Sequence, residues 1–253
     1  STYVMHGRNA GEVILIGTTE ETKLDLQRIR TALDSKPTAA LLSQTGIYDP
    51  AQFLARIILF PSKSTYDQVN TDDNLYSEMH LGLSPGSRAT ESSIENILTD
   101  LYSTSGDTIV NHCEESKKPD KFFLCRLALA MAESSRAEAR PATDTDLIDN
   151  LIGGIHNYTG RARAAQINSL LSSIASTDRG LASITEARIK QIKGDKNVEN
   201  LPAPASTKSS LEKALYARYQ YERSRKDQAI EAALSACATS GDDWYSLLTA
   251  GKV

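Results

Sequence analysis

Apolar residues recur along most of this chain at helical spacing, and in one place they gather into a short β-branched run. That run, "EVILIG" at residues 12–17, is closed by glycine and predicts a strand. It is placed to pair with "TYVM" at residues 2–5 as a small hairpin. Thr18 followed by Glu21 reads as a capping box. The helix behind it carries Leu24, Ile29 and Leu33 and ends before Pro37. Residues 48–60, "YDPAQFLARIILF", predict a helix with Asp49 as N-cap, Pro50 at its first position and Pro61 as its stop.

Residues 62–92 are polar and poorly patterned, as in a long loop. Ser92 and Glu95 then cap a helix with Ile94, Ile97, Leu98 and Leu101 on one stripe. "KFFLCRLALAMA", residues 121–132, is apolar almost all round, the mark of a helix in the middle of a core. Pro141 ends it. Thr and Asp caps after residue 142 open further helical patterns, which pause at Gly153-Gly154 and continue through residues 161–176 and 180–193. Residues 197–206, with Pro202 and Pro204, read as a linker. One long helix is expected over about residues 207–239, closed by Gly241 and followed by a short tail holding Trp244. The expected fold is mainly α. It has two helical lobes, residues 1–141 and 142–253, with a short N-terminal strand or hairpin and a long C-terminal helix.

Charge changes this picture most. The chain has a net charge of −4, with 28 basic and 32 acidic residues. Between residues 156 and 226, however, 13 basic residues stand against six acidic ones, a local excess of seven positive charges. An acidic chain with a basic lobe has a directed field that draws polyanions to one side. Within that segment, "LYARYQYERSRKDQ" sets three tyrosines among basic residues. On a continuous helix, Tyr219, Arg223 and Lys226 share a face. Rings that stack on bases beside cations that meet phosphates make a platform for a single strand. The competing reading is a solvated helix face with tyrosines at its rim. Arg161, Arg163, Arg188, Lys190 and Arg218 complete the candidate nucleic-acid-binding set.

Candidate chemistry narrows the remaining classes. "GLSPG", residues 82–86, matches G-x-S-x-G, but Pro85 follows Ser84. Proline has no N–H for the oxyanion hole that motif builds, so a turn is the better reading. His112, Cys113 and Glu114 lack the spacing of a zinc site. "GDDW" at residues 241–244 reads as a helix stop, and no phosphate-binding glycine loop occurs. Three cysteines without a C-x-x-C pattern suit a reducing compartment. No stretch has the length of a membrane span, and the N-terminal residues hold no apolar signal-type run.

These features point to a non-enzymatic protein without a cofactor. It would bind single-stranded RNA and self-associate along it, as a coat or nucleocapsid protein does, in the cytoplasm or, for a viral coat, in the virion. The terminal elements are expected to dock on neighbouring subunits. The alternative is a helical adaptor that binds other proteins through helix faces.

Overall fold

The computed structural model describes residues 2–6, 13–17, 23–43, 47–59, 109, 119–138, 160, 163–195, 198, 200–241 and 243–253. The fold over these residues is mainly helical. The capping box at Thr18, the helix expected from Ile94, the Pro141 boundary, Gly153-Gly154, Ser84 and His112 all lie outside them.

β1 (Thr2–His6) pairs antiparallel with β2 (Val13–Gly17), Thr2 opposite Gly17 and His6 opposite Val13. α1 (Leu26–Asp34) is capped by Asp25, whose carboxylate accepts from the amides of Gln27 and Arg28. Pro37 stops nothing here. It lies in the first turn of α2 (Lys36–Ser43), where the missing N–H costs no helical bond.

The single helix expected over residues 48–60 is instead a short helix and a strand. α3 (Pro50–Leu54) starts as expected, with Asp49 accepting from the Gln52 amide at 3.0 Å. The chain then turns at Ala55 and enters β3 (Ile57–Leu59), which pairs with the free edge of β1. A β-branched Ile-Ile pair beside an open strand edge satisfies its backbone there, and tertiary pairing overrides the helical pattern.

α4 (Lys121–Glu138) is the central helix. Cys125, Leu127, Ala128 and Met131 on it are fully enclosed, and it packs on both α3 and α6. α5 (163–175) turns back into α6 (Arg179–Ile192). One continuous apolar core joins Met5, Leu54 and Ile57 to Leu127, Ile174, Leu181, Leu215 and Tyr219.

The long C-terminal helix is broken. α7 (Ser210–Glu222) and α8 (Lys226–Thr239) form an antiparallel pair joined by Arg223, Ser224 and Arg225. Ser224 has φ 61°, the left-handed conformation that ends many helices. Its amide donates to the Tyr221 carbonyl at 2.9 Å, and the Arg225 amide reaches back to Gln220 at 3.1 Å. That pair of bonds is a Schellman motif made without glycine. The break also turns α8 over. Ile230, Leu234 and Cys237 face outward, while Ala229 and Ala236 are buried. Ala236 joins Ala214 of α7 and Ala250 in a close-packed alanine contact. The Trp244 tail is itself a helix, α9 (Trp244–Ala250), packed on α7 and α8. With Met5 in the core and Ser246 and Ala250 buried, both terminal elements pack within their own chain.

α4, α6 and α7 begin at one end of the molecule and run the same way. Asp178, the N-cap of α6, accepts from the Leu181 amide, from Lys121 Nζ at 2.8 Å and from Lys208 Nζ at 3.2 Å. One carboxylate thus ties the starts of all three helices. Gly180 permits this approach, because a Cβ there would lie 2.7 Å from Glu212 Oε1 and 3.0 Å from Lys208 Nζ. Further along, Cys125 meets Thr185, and Arg188 meets Glu222 near the opposite end.

Two predictions follow from this packing. Leu127→Ala, at 0% exposure, lowers unfolding free energy by about 2–5 kcal/mol in a urea titration. Asp178 supplies an acid-sensitive contribution. Burial alone would raise its carboxyl, but the bonds from Lys121, Leu181 and Lys208 outweigh burial and hold it at about 2, below its ordinary 3.8. Its contribution is therefore complete above about pH 4 and is lost as pH falls towards 2. Asp178→Asn lowers stability at neutral pH and flattens the melting temperature across that window. An unchanged acid limb in the variant contradicts this assignment.

Candidate nucleic-acid interface

The end of the molecule opposite Asp178 gathers the C-termini of α6 and α7, where aligned carbonyls leave a partial negative charge. Lys190 and Lys193 stand at the end of α6, and Arg218, Arg223, Arg225 and Lys226 surround the end of α7. Cations are stabilised at helix C-termini, so part of the basic excess read in the sequence has a structural cause.

The sequence-predicted residues fall into three groups. Tyr219 and Arg163 are interior, at 0% and 1% exposure, and Arg188 is buried. Arg163 donates to the Ala55 carbonyl and so links α5 to the chain leaving α3. Arg188 pairs with Glu222 at 3.1 Å. Tyr219 therefore presents no ring to a base in this structure, and Arg163 presents no guanidinium to a phosphate. The helix break explains the difference. Arg223 folds back over the Tyr219 ring, 5.3 Å from its centroid, and donates to the Tyr219 hydroxyl and to the Val198 carbonyl. The tyrosine–arginine pairing visible in the sequence is thus an internal contact that ties Val198 to α7.

Arg218, Lys190 and Lys226 form the second group, nearer solvent. Arg218 shares Glu222 with Arg188, donates to the Lys252 carbonyl at 2.8 Å and lies 5.5 Å from the Tyr221 ring. Lys190 pairs with Glu186 one turn earlier at 2.8 Å. Lys226 is exposed at the start of α8, so it no longer continues the face of Tyr219. Arg161 forms the third group, outside the described residues.

Three further exposed residues, Tyr221 and Lys193 at this end and Arg179 at the start of α6, were not in the candidate set. Tyr221 is the ring of the stretch that reaches solvent, at 40% exposure. Arg179 and Lys193 line the exposed stripe of α6 with Ser183, Glu186 and Lys190. A four-residue and three-residue alternation from 179 to 193 was the available signal.

Several cations of the segment also bond to neutral oxygens. Arg163, Arg218 and Arg223 each donate to a backbone carbonyl, and Lys213 donates to the Ser206 carbonyl. A carbonyl satisfies the donor without cancelling its charge. Glu222 lies between Arg188 and Arg218. Burial pushes its carboxyl up, but both guanidiniums overcome this and hold it below its ordinary value.

Elsewhere, Cys125 is pushed up to about 12 by burial, against a hydrogen bond with Thr185, so it is a neutral thiol at physiological pH. Among the described residues, no cluster of His, Cys, Asp or Glu is arranged to hold a metal ion. None of the described helices is long and apolar enough to cross a membrane. No family model, no curated protein and no solved structure matches this chain.

The internal role of Tyr219 has a direct consequence. Tyr219→Phe removes an acceptor of Arg223 and lowers stability by about 0.5–1.5 kcal/mol in chemical denaturation. Tyr219→Ala costs about 3–5 kcal/mol through the cavity it leaves. Unchanged stability in both variants contradicts the internal assignment.

Proposed function

We propose that this chain is a non-enzymatic protein that binds single-stranded RNA through its basic end and self-associates along it, as coat and nucleocapsid proteins do. One observation carries the reading. Residues 156–226 hold 13 cations against six acids in a chain of net charge −4. In this reading Lys190, Lys193, Arg218 and Lys226, with Arg161, meet phosphates, and Tyr221 supplies the stacking ring. Arg163, Arg188, Tyr219 and Arg223 hold the surface in place from beneath.

A second reading, a helical adaptor, is favoured by the outward face of α8. Ile230 and Leu234 lie one turn apart at 51% and 67% exposure, an apolar pair open to solvent.

Fluorescence anisotropy with a short single-stranded RNA at two salt concentrations separates the readings. The wild-type chain binds with affinity that falls as salt rises. Lys193→Gln reduces the slope of log affinity against log salt by about 0.7. Tyr221→Ala weakens binding by about 1–3 kcal/mol and leaves the slope almost unchanged. Absence of salt-dependent binding by the wild type overturns the RNA reading. Leu234→Glu leaves RNA affinity unchanged, and its loss of a protein partner supports the adaptor.

A further inference from the structure

A cavity of about 430 Å³ opens where α4, α7 and α9 begin. Its volume is in the range of small-molecule sites, roughly 300–1,000 Å³. Phe122, Leu211 and Tyr245 give it an apolar and aromatic wall. Asp120, Asp243 and Arg126 give it charge of both signs, two negative against one positive.

These charges share the cavity without meeting. Among the described residues the Arg126 guanidinium has no ion pair and no hydrogen bond. It lies 5.7 Å from the Tyr245 ring centroid, with its Nε buried. A guanidinium without an acceptor is costly where it is shielded from water. The two carboxylates lack a cation in turn. Asp120 Oδ1 caps α4 by accepting from the Phe123 amide at 2.7 Å, and its Oδ2 has no partner among the described residues. Asp243 Oδ1 caps α9 through the Ser246 amide, and its Oδ2 accepts from the hydroxyls of Ser246 and Ser210. Capping thus accounts for one oxygen of each acid and leaves the other with neutral partners or none. A bare anion is repelled by the two carboxylates, and a bare cation by Arg126. A ligand that carries both charges on one small frame meets all three groups through charge-assisted hydrogen bonds.

We propose that this cavity binds a zwitterionic α-amino acid with an apolar or aromatic side chain. Its carboxylate pairs with Arg126, its ammonium lies between Asp120 and Asp243, and its side chain packs on Phe122, Leu211 and Tyr245. The separation of opposite charges in the lining selects a molecule with a separated pair of its own. The proposal stands independently of the RNA reading, since no residue assigned to the basic surface lines the cavity.

Isothermal titration of the full chain with L-phenylalanine, its amide and its N-acetyl derivative tests this. The amide lacks the carboxylate, and the acetyl compound lacks the ammonium. The free amino acid binds, and each analogue binds about tenfold or more weakly, the scale of one lost charged hydrogen bond. Arg126→Gln weakens phenylalanine by about tenfold or more and does not weaken the amide, which has no carboxylate to lose. Asp243→Asn weakens phenylalanine to a similar degree and does not weaken the acetyl compound. Asparagine caps a helix about as well as aspartate, so the melting temperature of that variant stays near wild type. The proposal is overturned by no binding of phenylalanine, by analogues that bind as tightly as it does, or by a phenylalanine affinity that both variants leave unchanged.

Discussion

The carboxylate of Asp178 is the contact on which this arrangement depends. It caps α6 and holds Lys121 and Lys208, so the starts of α4, α6 and α7 are fixed together. Helices that begin together and run the same way add their dipoles, leaving a positive and a negative end. The chain places charge accordingly. Asp120, Asp178 and Ser209 cap the starts, and Lys190, Lys193, Arg218 and Arg223 collect at the finishes. The uneven charge of the sequence is, in the first instance, the solution to packing parallel helices.

That solution has a by-product. Cations that bond to carbonyls keep their charge, and near the ends of α6 and α7 Arg218 and Arg223 each donate to one.

Much of this was legible in the sequence, and the misses have physical causes. The unbroken apolar character of residues 121–132 marked the central helix, and Asp49-Pro50 marked the start of α3. Ser224 hid the break between α7 and α8, because a left-handed residue is usually signalled by Gly or Asn and here is a serine. Without that break, Tyr219, Arg223 and Lys226 align on one face. With it, Arg223 turns inward onto Tyr219 and Lys226 leaves for the next helix. The Ile57–Leu59 strand was hidden because its partner edge lies more than fifty residues away. Periodicity carries no information on so distant a contact. The cavity was invisible for the same reason, since Arg126, Ser209 and Tyr245 come from three separated segments.

Tyr221 decides the RNA reading most directly, since it is the ring of its stretch that reaches solvent beside a cation. Ultraviolet crosslinking of a short single-stranded RNA to the full chain, followed by mass spectrometry of the adducts, locates the strand. The account predicts an adduct on the peptide that contains Tyr221, diminished at high salt. No adduct, or adducts confined to residues 2–59, would contradict it.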